Sequence, residues 1–230
     1  KRLEKYSCNY KIRIMLIVGA KGFAKEILEV LHQLKNIENI VFYDDVNKYM
    51  HEEKIFNFFP ILKTLSEAEH YFKKNGNNFT IGIGNPVLRK SLKEKFENIG
   101  GEFTSTVSPF ARIGYYGNSI STGCNIMTGS VITTNVIIKE GVLVNLNCTI
   151  GHDSILGDFV ELSPGVSISG NCVIGDYTNI GTNATILPDI VIGKNVIIGA
   201  GAVVNKNIPD NSIAVGIPAK VIKQLPEIEF

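Results

Sequence analysis

Proton transfer near neutral pH calls for an imidazole, and the 230-residue chain has only four: His32, His51, His70 and His152. His32 falls in the polar part of a predicted helix, and His51 and His70 lie among charged residues, so surface placement accounts for those three. His152 stands apart as the only histidine of the second half, directly before Asp153. A neutral imidazole there can take a proton from an attacking nucleophile. The competing account is a solvated corner residue, because Thr134, Glu140, Asp158 and Lys194 occupy the same place in the repeat set out below. Cysteine offers no second chemistry. Cys124, Cys148 and Cys172 recur every 24 residues at one small, uncharged position of that repeat, Cys8 sits in the leader, and no CxxC pair exists. Buried thiols are expected, with no metal site, no disulfide and no thiol nucleophile.

A second group of candidates lies near the start. Gly19-Ala-Lys-Gly22 is a tight turn between a predicted strand, 14–18, and a predicted amphipathic helix, 23–34. Lys21 and small residues at a helix N-terminus suit a phosphate, whose oxygens can approach the backbone amides. Asp44 and Asp45 end the next predicted strand, 39–43, about 25 residues on, where an acid can bond a ribose or sugar hydroxyl. The pattern is short of a full GxGxxG, and close strand–helix packing would use the same glycines. A third strand is predicted over 79–84 and a helix over 87–98; between 46 and 78 only a short helix at 65–73 is legible.

What must position His152 is a repeat. From Ile120, every sixth residue through Val204 is a branched aliphatic, fifteen in succession: Ile120, Ile126, Ile132, Ile138, Val144, Ile150, Leu156, Leu162, Ile168, Ile174, Ile180, Ile186, Ile192, Ile198 and Val204. The register reaches back to Ile113 and Val107, with one extra residue between Ile113 and Ile120. Four residues after each aliphatic comes an uncharged and mostly small residue, from Cys124 to Ile208. Helices place apolar residues three and four apart, so a period of six is not helical. It fits a parallel β-helix in which each hexapeptide is a short strand plus a corner, three to a coil of about 18 residues. One coil beyond His152 lies Gly170, whose amide can face the same groove and meet a developing oxyanion.

Charge and hydropathy bound the rest. With 23 basic and 22 acidic residues, the net charge of +1 marks no bulk polyanion binder, and no nucleic acid is expected as a partner. The 44% apolar content argues against disorder. No apolar run approaches the ~20 residues that cross a bilayer, and 1–13 lack a signal-peptide pattern, with Met15 a possible start. A soluble, cytoplasmic protein is expected.

The half from Val107 onward resembles the left-handed β-helix of hexapeptide-repeat acyltransferases; that hand comes from the resemblance, since parallel crossovers are ordinarily right-handed. An α/β Rossmann-like domain in front of it, 14–106 before 107–230, narrows the match. The whole chain is similar to the sugar acyltransferases that include bacillosamine-pathway and perosamine N-acetyltransferases and sialic acid O-acetyltransferases. The marks are Gly19-Ala-Lys-Gly22, Asp44-Asp45, Gly82-Ile-Gly-Asn85 followed by Arg89, Asn145, Gly151-His152-Asp153, and Gly216-Ile-Pro-Ala-Lys220. The resemblance implies a homotrimer with active sites in clefts between β-helices, acetyl-CoA as co-substrate, and a nucleotide-sugar held by the front domain. It implies His152 as base with Asp153 beside it, although Asp153 is also a common corner residue. It assigns Gly19, Lys21, Gly22, Phe23, Asp44, Asp45, Asn85 and Asn145 to the sugar substrate. Glu161, Gly170, Ala200, Gly216, Pro218 and Lys220 fall to the coenzyme, and the last three would equally serve as an end cap. Phe23, Ser108 and Glu161 stand where many relatives carry histidine. An acetyl-CoA-dependent N-acetyltransferase acting on a nucleotide-linked amino sugar in surface-glycan synthesis is expected. Transfer to a hydroxyl of sialic acid or polysaccharide, or a non-catalytic nucleotide-sugar-binding scaffold, are the alternatives. A γ-type carbonic anhydrase would need three zinc-binding histidines, and a sugar nucleotidyltransferase a different glycine-rich loop.

Overall fold

The computed structural model describes residues 16–47 and 53–229. Cys8, Ile14, Met15 and His51 lie outside them. Two compact units form: one runs up to Ile83 and resumes over Leu92–Thr104, and the other takes Gly84–Ser91 and the chain from Ser105.

The first unit is an α/β layer. Its elements are β1 (Leu16–Val18), α1 (Gly22–Gln33), β2 (Val41–Tyr43), β3 (Lys54–Ile55), β4 (Phe59–Leu62), α2 (Leu65–Asn75), β5 (Asn78–Ile81), the second half of α3 (Pro86–Glu97, whose first six residues belong to the other unit) and β6 (Glu102–Phe103). The sheet order is β3-β4-β2-β1-β5-β6. All pairs are parallel except the β3–β4 hairpin. β1 is wholly buried and α1 packs Ala24, Ile27, Leu28 and Leu31 against it, the apolar stripe of an amphipathic helix. Close approach falls on Gly82, where a Cβ would come within 2.6 Å of Ala24. α2 begins in a capping box: Thr64 Oγ1 accepts from the Glu67 amide while Glu67 accepts from the Thr64 amide. The hairpin was not legible because β3 is two residues long and Pro60 interrupts β4.

The second unit is a parallel β-helix of two-residue strands in three stacked sheets. In each strand the second residue points inward, and register advances by 18, as in Ile132↔Ile150↔Ile168↔Ile186↔Val204. Burying one such aliphatic per strand contributes roughly 1.5–3 kcal/mol, and the ladders make this the larger core. The position four residues on is buried as well, from Cys124 at 0% exposure to Ile208 at 5%. Corners need the left-handed backbone region, which Asn135, Asn147, Asp153, Asn171, Asn183 and Asp189 supply with φ from 56° to 62°. At the far end Ser212–Val215 continues one sheet and pairs antiparallel with Lys220–Gln224, closing its edge.

Candidate active site

His152 and Asp153 sit on the corner between Thr149–Ile150 and Ile155–Leu156. His152 is 66% exposed, so its ring is open to a ligand. Nδ1 lies 2.7 Å from Asp153 Oδ2. A carboxylate can only accept, so Nδ1 carries the hydrogen, and in the neutral ring the lone pair then falls on Nε2. Asp153 is held in turn: Asn135 Nδ2 donates to its Oδ1 at 2.5 Å. The Asn135 bond first, then His152, holds the Asp153 carboxyl below the usual carboxylate range. Asp153 also has φ of 60°, so the corner role and the role beside His152 fall on one residue.

One coil along, the imidazole lies against the bare Cα of Gly170. A Cβ there would fall 2.5 Å from Nε2 and 2.6 Å from Cε1. The Asn171 amide donates to the His152 carbonyl and the Asp189 amide to that of Gly170, which ties three successive coils together. A base with a free lone pair, a carboxylate on its other nitrogen and an unencumbered backbone beside it can remove a proton from a nucleophile attacking a carbonyl. The cysteines are excluded from such work. Cys124, Cys148 and Cys172 are fully buried, and their thiols donate to the carbonyls of Lys139, Ser163 and Leu187. Burial pushes the Cys124 thiol up to about 12 and that of Cys148 to about 11, and raises Cys172 too. Among the described residues no group of three or more His, Cys, Asp or Glu is placed to hold a metal ion.

Several expected contact residues already have partners. Glu161 faces Arg89 at 3.9 Å and accepts from Asn179 Nδ2 at 2.8 Å. Burial raises its carboxyl above the usual range, with Arg89 and Asn179 opposing. Arg89 is itself buried, with Nη2 donating to Phe159 O at 2.7 Å and Val160 O at 3.0 Å, and Nη1 to Gly84 O. Its Nε has no partner, and burial pushes its pKa down to about 10. Asn145 is 9% exposed and accepts from the Leu146 amide through Oδ1. Asn85 Oδ1 caps α3 by accepting from the Leu88 amide at 2.9 Å. Ala200, Gly216, Pro218 and Lys220 are exposed near the cap, where the Gly216 carbonyl accepts from the Val203 amide.

In the first unit, Gly19 has φ of 111°, which favours glycine, while a Cβ on Gly22 would meet nothing within 4 Å. Lys21 precedes α1 in extended conformation, no side chain caps the helix, and its first turn has no acid, so the first-turn amides remain open to an anion. Phe23 is half-buried against the core there. Asp44 is turned to its own loop: Oδ1 accepts from the Val46 and Asn47 amides and Oδ2 from Asn47 Nδ2. Asp45 takes Lys95 Nζ at 2.7 Å and Tyr43 Oη at 2.8 Å; burial opposes its charge, but those two bonds hold it below the usual range. A sugar hydroxyl reaching either acid would share it with these partners.

The PglD N-terminal domain model matches residues 14–96, and the six-repeat bacterial transferase hexapeptide model matches 171–206. No curated protein sequence matches the chain. Among solved structures, the acetyltransferase domain of PglB from Neisseria gonorrhoeae is 31% identical with a TM-score of 0.83, over 91% of this chain and 100% of that one. The chain belongs to this acetyltransferase family. WeeI from Acinetobacter baumannii is 30% identical over 91% of this chain and 100% of its own, with a TM-score of 0.82. A perosamine N-acetyltransferase mutant from Caulobacter crescentus, solved with CoA and GDP-perosamine, shares the fold at 23% identity and a TM-score of 0.84, covering 93% of this chain and 98% of that one. The β-helix is the left-handed hexapeptide form. In this acetyltransferase, two residues around the site make contacts that the sequence reading did not assign to them. Asn135 lies 18 residues before Asp153, so coil arithmetic alone would have found it. Arg89 stood out only as a mark of the resemblance, and its partners had no signal because they follow it by about 70 residues.

Proposed function

We propose that the chain transfers an acetyl group from acetyl-CoA to the amine of a nucleotide-linked amino sugar, with His152 as general base. The observation that carries the reading is the His152 ring, oriented by Asp153 through Nδ1 and seated with Nε2 on Gly170. As the amine attacks the thioester carbonyl, the N–C bond forms and Nε2 takes the proton. The tetrahedral intermediate then loses the C–S bond, and the imidazolium returns its proton to the departing CoA sulfur. Asp153 stabilises that imidazolium without itself being protonated. The Gly170 amide is the proposed donor to the oxyanion.

Support for the sugar comes from the neighbours: the perosamine enzyme was solved with GDP-perosamine and CoA, and the PglB domain with acetyl coenzyme A. In this reading the open N-terminus of α1, with Lys21, Gly22 and Phe23, takes the diphosphate, and Asp44, Asp45, Asn85 and Asn145 lie on the sugar side. Gly216, Pro218, Lys220 and Ala200 take the coenzyme, and Glu161 holds the wall beside it. A homotrimer working in the cytoplasm completes the proposal. The test is CoA thiol release with acetyl-CoA and UDP-, GDP- or dTDP-linked 4-amino sugars, set against the corresponding 4-hydroxy sugars and a sialic acid. Release dependent on an amino sugar is expected. Turnover of a hydroxyl acceptor alone, or of none, would contradict it.

A further inference from the structure

We infer that Tyr115 and Tyr116 form a platform on which the acceptor's pyranose ring stacks while its amine is at His152; this rests on the reading of His152 as the acyl-transfer base. The two tyrosines occupy the corner at which the six-residue register takes in an extra residue. Ile113 pairs with Ile132 and Val107 with Ile126, each 19 residues on, whereas Ile120 pairs with Ile138, 18 on. The extra residue is therefore carried in the corner 114–118.

That corner is built rather than slack. Gly117 has φ of 71°, and a Cβ on Gly114 would sit 1.8 Å from the Thr133 carbonyl oxygen. Asn118 is 6% exposed and stitches the loop: Nδ2 donates to Gly114 O at 2.8 Å and Thr133 O at 2.9 Å, and Oδ1 accepts from the Val136 amide at 2.8 Å. Both rings are left uncovered, Tyr115 at 76% and Tyr116 at 73% exposure. Two adjacent uncovered rings on a braced corner mark a contact surface.

Backbone bonds set Tyr116 in the slot that His152 occupies. Asn135 donates to Tyr116 O, Asp153 to Thr134 O, and Asn171 to His152 O, at 2.9, 3.1 and 2.7 Å. Tyr116, Thr134, His152 and Gly170 thus form one column, with Tyr116 two coils, about 10 Å, from the base. Gly170 is on one side of His152, and on the other the small Thr134 leaves the way open to the rings. A sugar ring and a tyrosine side chain together span that separation. The C–H face of a pyranose suits an aromatic face, as apolar walls with few polar groups suit sugar-sized ligands.

The experiment is steady-state kinetics of Tyr115→Ala, Tyr116→Ala and Tyr116→Phe in the full chain. The acceptor is whichever UDP-, GDP- or dTDP-linked 4-amino sugar the wild type acetylates, and melting temperature and solution mass are measured in parallel. Each alanine variant is expected to raise the acceptor KM by about ten-fold, with kcat and the acetyl-CoA KM within about two-fold, and the phenylalanine variant to restore most of the loss. An unchanged acceptor KM with an active wild type overturns the platform and leaves His152 untouched. A rise that accompanies loss of mass assigns the rings to contact with a second copy of the chain and also overturns it. If the wild type acetylates none of the three, the platform falls together with the reading of the site.

Discussion

The proposed role of His152 rests on what surrounds it on three successive coils. Asp153 directs Nδ1, Asn135 directs Asp153, and the missing Cβ of Gly170 makes room for the ring. Gly170 does not have positive φ, so alanine there is not strained by its backbone. Its methyl group would instead meet the imidazole at 2.5 Å, and the exposed ring would swing away rather than the coil shift. Gly170→Ala is therefore expected to lower kcat by about 10²-fold while the melting temperature moves little, because misplacing a reacting group by an ångström costs that order of rate. Kinetics beside a thermal melt decide it. An alanine variant with wild-type kcat would mean the ring is not used where it lies.

Among the elements, the start of α3 is tied to the β-helix wall by a buried ion pair. Arg89 gives Nη2 to Phe159 O and Val160 O and faces Glu161, which Asn179 also holds. Removing one partner of such a pair strands the other, so Arg89→Met is expected to cost about 3–5 kcal/mol, and adding Glu161→Gln to return part of it. The pH dependence has a definite sign. Burial raises the Glu161 carboxyl, so the folded state binds its proton more readily than the unfolded state, and the stability so gained is present at low pH and lost as pH rises through the folded value. Without Arg89 to oppose the rise, the Arg89→Met deficit relative to wild type should shrink as pH falls from about 7 to about 5, as denaturant melts would show. A deficit that grows on acidification would contradict the assignment. The ladders around this wall were legible in the sequence because a period of six writes every inward position in turn, and the predicted helices of the first unit appear within a few residues. The contacts of Arg89, itself a mark of the resemblance, were not, because they depend on which coil α3 meets. Nor was it legible that Asn85 caps α3 and that Asp44 holds Val46 and Asn47; an asparagine or aspartate reads the same whether it serves its own turn or a ligand.

At the scale of the whole molecule, the α/β unit carries the open α1 N-terminus and the repeat unit carries the His152 column, the two features on which the proposed function rests. No helix among the described residues is long and apolar enough to cross a membrane. The proposed trimer would place each His152 column at a boundary between copies. The most direct measurement is the kcat of His152→Ala, by CoA thiol release with acetyl-CoA and the accepted amino sugar, on protein whose solution mass and melting temperature match the wild type. A fall of about 10³-fold is predicted, with both KM values near those of the wild type, since a general base contributes about 10²–10⁴. Turnover at the wild-type rate would contradict the assignment of His152 as the base.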